Sequence, residues 1–284
     1  MESDLDSLGL VSTCDEEQLM SGEERSLVPA VTRAVAILDL VAAERTAMGI
    51  STVARRLGLP KSSVANLCST LVDTGLLRLQ DGGFQLGLHL AQLGGSYLSS
   101  IDQVRLFQES CDVLEAGRND TVQLALLSDG IDVIYLAKRD GVYAVRLAST
   151  PGRALPATCT ATGKAMLATL DDQEVRARLA DAVPFPQLTP NSITTEDALF
   201  QELDLIRARG YALDQEEVIE GVVCVGVAIP RQSATDQLLA VSITLLKPRA
   251  TKQHLRELAD ELHAATQMIA LGLGVAPSQA SITG

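Results

Sequence analysis

Histidine is scarce and cysteine is scattered in this 284-residue sequence, with three histidines, His89, His254 and His263, and five cysteines, Cys14, Cys68, Cys111, Cys159 and Cys224. An odd number of thiols without short paired spacing offers neither a disulfide framework nor a zinc ligand set, and it suits a reducing compartment. No apolar run reaches bilayer length free of charged residues, and the first residues are acidic where a signal peptide is basic. No membrane segment, no metal and a cytoplasmic location are therefore expected. Internal repeats and low-complexity tracts are missing as well. With 46% hydrophobic and 21% charged residues, the chain has material for two ordinary domains, each with its own core.

Positive charge is also short: 23 Lys and Arg stand against 36 Asp and Glu, a net charge of −13. Such a balance argues against nucleic acid as a partner, because Lys and Arg on phosphates supply most sequence-independent affinity. The distribution reverses that argument. Residues 1–25 carry eight carboxylates against Arg25 alone, whereas residues 26–82 carry six Lys and Arg against four Asp and Glu. The acidic section lacks sustained periodicity and reads as a flexible arm.

Within the positive section, a helix from Ala30 to Ala43 would bury Ala34, Ile37, Leu38 and Val41. The stretch GISTVARRLGLPKSSVANLCSTLVDTG then encodes two short amphipathic helices around a tight turn. The first would bury Val53, Ala54 and Leu57, with Ser51 as N-cap and Gly58 as a left-handed exit. The second is expected to start on Pro60, placing Val64, Leu67, Cys68 and Leu71 on one face and Lys61, Ser62, Ser63, Asn66 and Ser69 on the other. After Gly75, two short strands flank Asp81, Gly82 and Gly83 as a hairpin. Residues 26–87 thus outline a winged helix-turn-helix.

The second helix's polar face carries no carboxylate, so nothing on it repels phosphate. Lys61, Ser62, Ser63 and Asn66 are the candidate readers of double-stranded DNA, and Asn66 has the groups to pair with adenine. Ser51 and Thr52, at the start of the preceding helix, are further candidate contacts, and Arg33, Arg55, Arg56 and Arg78 are the candidate phosphate holders.

A single linker helix, interrupted by Gly94 and Gly95, is expected over 88–107, joining two domains and pairing copies of the chain. From Thr121 the period changes to two. TVQLALLS and DVIYLAKR flank Asp129 and Gly130, Val222 to Ile229 and Leu239 to Leu246 alternate, and helices are expected at Gly163 to Leu170, Thr195 to Gly210 and from Thr251 onward. Residues 108–274 therefore read as an α+β domain with an antiparallel sheet, followed by a flexible tail over 275–284.

Small and hydroxyl-bearing residues alternate on two of these strands, Cys224, Gly226 and Ala228 on one, Ser242 and Thr244 on the other. If both faces look the same way, they form a cavity floor for a small molecule. Thr158 to Thr162 runs into a helix expected to begin near Gly163, whose N–H groups and threonine hydroxyls favour an anion, and Asp214 is placed in a loop opposite. From spacing alone, caps and turns account for these residues more simply. Cys159 and Cys224 raise a thiol-dependent enzyme as an alternative, but the histidines lie on the linker and the last helix, which leaves the thiols without a base. A ligand-sensing adaptor without DNA binding is the other alternative.

From Val28 to Gly274 the chain resembles the IclR family of bacterial transcription regulators. The resemblance is carried by VTRAVAILDLVA, GISTVARRLGLPKSSV and the hairpin, then by LPATCTATGKAML, IRARGYALDQEE, the strand entry from Gly221 to Gly226, and AVSIT. It implies a winged helix-turn-helix, a linker helix and a GAF-like effector-binding domain, assembled as homodimers or dimers of dimers. It also implies a regulator rather than an enzyme, a repressor before an activator, needing no cofactor; the anion-favouring Thr158 to Thr162 segment adds the expectation of a small carboxylate-bearing metabolite as effector. Carried over by position, the effector site falls on Leu147, Leu155, Ala161, Thr162, Asp214, Val222, Cys224, Ser242 and Thr244. Ala65 and Asn66 depart from the family's usual aromatic or His followed by Arg, and Thr158 stands where His is frequent.

Overall fold

The computed structural model describes residues 27–44, 46–115, 119–143, 150–180 and 182–275. The chain divides into two compact units, the first ending at Leu98 and the second starting at Ser99.

The first unit contains helices α1 (Pro29–Ala43), α2 (Ile50–Arg56) and α3 (Lys61–Asp73), strands β1 (Leu77–Gln80) and β2 (Gly83–Leu86), and helix α4 (Leu88–Ser99). Its core gathers Ile37 and Val41 from α1, Val53 and Ala54 from α2, Val64, Cys68 and Leu71 from α3, and Met48, Leu77 and Phe84. The α2 exit is left-handed at Gly58 (φ +64°), and the Leu59 N–H returns to the Ala54 carbonyl at 3.0 Å. In the hairpin both central residues are left-handed, Asp81 at φ 53° and Gly82 at φ 77°. This turn matches the right-handed twist of the two strands it joins.

Three local expectations change. Gly49, not Ser51, caps α2, and its carbonyl takes the N–H groups of Thr52 and Val53, so Ser51 sits inside the first turn with its hydroxyl exposed. Pro60 lies one residue before α3 at φ −59° and ψ 136°, where its carbonyl accepts the Val64 N–H at 3.1 Å. Proline fixes φ at a value that suits either side of a helix boundary, and here ψ puts it outside. The single helix over 88–107 is instead two: α4 and α5 (Asp102–Val113) are separated by an extended Ile101 at φ −101° and ψ 109°. Glycine costs a helix only about 1 kcal/mol, so α4 runs through Gly94 and Gly95. Asp102 suits the positive end of a new helix, and α5 buries Phe107, Ser110 and Cys111 within the second unit.

The second unit continues with β3 (Thr121–Leu127), β4 (Asp132–Arg139), β5 (Ala154–Pro156), α6 (Ala161–Leu167), α7 (Asp172–Leu179), α8 (Glu196–Arg209), β6 (Ala212–Gln215), β7 (Val222–Ala228), β8 (Leu239–Leu246) and α9 (Lys252–Gly272). Its six strands form one antiparallel sheet in the order β5-β4-β3-β8-β7-β6. β5, β6 and α7 were not expected, because strands of three and four residues are too short to show alternation and half of α7's eight residues are charged, leaving only a short apolar stripe. Helix α6 starts at Ala161 rather than near Gly163, with the Thr160 hydroxyl accepting the Gly163 N–H at 3.2 Å. Asp214 is not in a loop: it lies on β6, directly across from Cys224 of β7.

Register separates the two faces of the sheet. On one, β-branched and leucine side chains such as Val225, Val241, Ile243 and Leu245 are buried under α9, which contributes Leu255, Leu258, Leu262, Ala265 and Ile269. The other face lies under α6, and there the packing is at backbone distance. A Cβ on Gly226 would stand 2.7 Å from the Ala161 carbonyl carbon, and one on Gly163 would stand 2.3 Å from the Ala157 Cα. Gly226→Ala is therefore expected to destabilise the second unit by about 3 kcal/mol, read by thermal unfolding. Gly94→Ala, where a Cβ meets nothing within 4 Å, is expected to stabilise the first unit by about 0.5–1 kcal/mol. Equal melting of wild type and Gly226→Ala would contradict the close approach.

Candidate functional site

In the first unit, the buried residues Val64, Cys68 and Leu71 hold α3 against the core and leave its other side outward. Lys61, Ser62, Asn66 and Ser69 are exposed and Ser63 is half-buried. Arg55 is exposed on α2, with Ser51 exposed and Thr52 half-buried at its start. Arg56 forms an ion pair with Glu44 at 2.8 Å, so the sequence's phosphate candidates are not equivalent. On the hairpin, Arg78 donates to the Gln85 side chain at 2.8 Å, which holds its guanidinium on the exposed ribbon. Arg33 is half-buried on α1.

In the second unit, the register puts Asp214, Cys224, Gly226, Ser242 and Thr244 on the face beneath α6. Cys224 pairs with Thr244 and Gly226 with Ser242, and the Cys224 thiol lies 3.3 Å from the Thr244 hydroxyl. Thr244 in turn donates to the Gln123 side chain of β3 at 3.1 Å. Tyr135 of β4 and Leu155 of β5 share this face through pairing with Ala125 and Val133. Ala161 and Thr162 cover it from the first turn of α6. The room expected beside Gly226 is filled by that turn's backbone. Leu147 lies outside the described residues.

The sequence reading missed the charged group at the centre. Lys164 of α6 and Glu217 are both buried and form an ion pair. Glu217 is steered inward by a turn after β6: its N–H donates to Asp214 Oδ1 at 2.7 Å, and its own carboxylate accepts the Gln215 N–H at 3.2 Å. Its carbonyl accepts from the Ser192 hydroxyl at 2.6 Å, while Thr189 bonds the neighbouring Glu216 carbonyl at 2.7 Å. The sequence separation of 53 residues hid the partner, although GKAML shows a lysine inside an apolar run. Among the described residues, four buried side-chain atoms make no hydrogen bond, the hydroxyls of Thr158 and Thr162, Nε of Arg178 and Oε2 of Glu217, and of these the Thr162 hydroxyl stands beside that of Tyr135.

Burial dominates the titration of these groups. Asp214 is pushed up to about 7, first by desolvation and then by the nearby Glu217, against smaller opposing effects that include Lys164. Glu217 is raised by burial and held back by Lys164. Burial also raises the thiols of Cys159 and Cys224, with Asp214 adding to both. A thiol so disfavoured as thiolate is a poor nucleophile. For Asp214, the proton stays on in the fold up to about pH 7 but leaves near 3.8 when unfolded, so the stability it contributes at low pH is lost as pH rises toward 7.

Removing one member of a buried ion pair strands the other charge. Lys164→Met is expected to destabilise the second unit by about 3–5 kcal/mol near neutral pH, measured by denaturant unfolding. The loss should shrink as pH falls, because the abandoned Glu217 takes a proton, and Lys164→Met combined with Glu217→Leu should recover most of it. A single substitution without effect at any pH would show that the pair carries no such constraint.

Two family models match the chain, "IclR helix-turn-helix domain" over residues 30–81 and "Bacterial transcriptional regulator IclR C-terminal" over residues 95–271. Among curated proteins, the HTH-type transcriptional regulator XynR of Escherichia coli is 30% identical over 250 residues, covering 87% of this chain and 98% of XynR. Among solved structures, the Agobacterium tumefaciens repressor BlcR is 33% identical with a TM-score of 0.56, covering 88% of this chain and 99% of BlcR. The Thermotoga maritima IclR is 28% identical with a TM-score of 0.66, covering 86% of this chain and 98% of that one. These families and relatives are transcriptional regulators, not enzymes. The chain belongs to the IclR family and is a DNA-binding transcriptional regulator.

Proposed function

We propose that α3 of this regulator enters the major groove of its operator, with Lys61, Ser62, Ser63 and Asn66 contacting base edges and phosphates. Ser51 and Thr52 contact the backbone from α2, and Arg33, Arg55, Arg56 and Arg78 hold phosphates. The observation that carries this reading is the exposed polar face of α3, free of carboxylates from Lys61 to Ser69 with Asp73 only at its far end, set on a section whose positive charge stands out from an acidic chain. Arg56 contributes once its pair with Glu44 opens, and Arg78 contributes from the hairpin. The modest positive charge makes single-copy binding weak, so the chain works as a homodimer or dimer of dimers reading repeated half-sites. The reading places it in the cytoplasm. Among the described residues no helix is long and apolar enough to cross a membrane.

The second unit holds the effector, a small carboxylate-bearing metabolite, on the sheet face beneath α6, near Leu155, Ala161, Thr162, Asp214, Val222, Cys224, Ser242 and Thr244. The unbonded Thr158 hydroxyl, just before α6, supports this placement, since buried polar atoms normally have partners. A ligand alters operator affinity only by preferring one arrangement of the paired chains. The repressor sense follows from economy, as occupying DNA blocks transcription without any further contact.

Electrophoretic mobility shift with genomic fragments at low salt tests the DNA side. Lys61→Ala should weaken binding across all sequences and reduce the salt slope by about 1. Asn66→Ala should cost about 1–3 kcal/mol on the operator and little elsewhere. Unchanged binding by both variants would remove α3 from the interface.

A further inference from the structure

Charge in the second unit's interior does not balance when every group is ionised. Lys164 is the one buried Lys or Arg among the described residues, and its ammonium is bonded to Glu217. Asp214 is equally buried and shares the same turn, its Oδ1 accepting the Glu217 N–H at 2.7 Å. Two carboxyl groups therefore face a single ammonium, and an anionic effector adds a third negative charge. Stranding even one such charge in the interior is strongly unfavourable.

The groups around Asp214 offer no other neutralising cation. Cys224 faces it from β7, Cys159 from the segment before α6, Tyr135 from β4, Lys164 from α6 and Glu217 from its own turn. Glu217 has a further acidic neighbour in Glu202 of α8, which is paired with Arg209 at 2.7 Å. The remaining donors are neutral, among them the Thr158 hydroxyl, which has no partner. A proton is the simplest missing positive charge.

We propose that Asp214 meets the effector's carboxylate as a carboxylic acid, so that capture of an anionic ligand by this unit takes up one proton from solvent. This rests on the reading of the second unit as a site for a carboxylate-bearing effector. Asp214 keeps accepting the Glu217 N–H through one oxygen and donates through the other to the ligand, and the Lys164–Glu217 pair stays intact. Asp214 is the residue that gives up its charge because Glu217 has Lys164 beside it. The position of its titration, about 7, makes the coupling felt in the ordinary range of cell pH. Effector sensing then doubles as pH sensing, with a carboxylate metabolite read more sensitively as the surroundings acidify.

The test uses the full-length protein and a panel of acetate, pyruvate, succinate and benzoate, with affinity and heat measured at about pH 6 and about pH 8.5 in buffers of differing ionisation enthalpy. The wild type should bind at least one acid about tenfold or more tightly at the lower pH, with about one proton taken up per ligand at the higher. Asp214→Asn, which keeps the accepting oxygen and can never ionise, should bind without pH dependence or proton uptake. Tight binding with flat pH dependence in the wild type overturns the proposal and leaves the effector reading standing. Proton uptake that survives in Asp214→Asn moves the proton elsewhere and overturns it too. Failure of every acid to bind at either pH overturns the anionic-effector reading, and this proposal with it. Should Asp214→Asn not fold, the wild-type buffer series decides alone.

Discussion

The seat of α6 on the sheet is the contact on which the second unit depends. Glycine at 226 removes the side chain that would otherwise lift the helix, and glycine at 163 lets the segment through Ala157 pass over its first turn. With the backbone this close, Lys164 has no route to solvent and must be neutralised within the interior. Glu217 answers it, held there by Asp214, Thr189 and Ser192. Steric closeness, buried charge and the geometry of the turn after β6 thus form one linked arrangement.

That linkage explains why a domain whose core is otherwise apolar tolerates polar groups on one sheet face. Beneath α9 the sheet presents valine, isoleucine and leucine, as packing alone demands. Beneath α6 the same strands present Cys224, Ser242, Thr244 and Gln123, joined by side-chain contacts. One sheet therefore separates a structural face from a polar one, and α6 is the element that closes the polar side.

In the first unit the demands are simpler. A small core fixes three helices and a hairpin, and what faces outward is decided by what is left after packing. The polar side of α3 is outward because Val64, Cys68 and Leu71 are not. The chain's overall negative charge is set mostly outside this section, which is how an acidic protein keeps a surface that phosphate does not find repulsive.

Local chemistry made most of the elements legible. Helical periodicity gave α1, α3 and α9, left-handed glycines and an Asp-Gly tip gave the turns, and alternation gave β3, β4, β7 and β8, because those signals act over a few residues. Alternation also put Cys224 with Gly226 and Ser242 with Thr244, each pair on one face of its strand. It did not say that the two faces coincide, since that is a matter of register between strands. Nor did it reveal the break at Ile101, the strand holding Asp214, or the partner of Lys164. Sequence by itself determined the helix-turn-helix, the exposed polar face and the α+β pattern, all short-range consequences of side-chain size, polarity and backbone freedom. Tertiary structure alone decided which small residues make room for ligand and which for backbone, and which buried charges must share one counterion, because both depend on contacts between residues far apart in the chain.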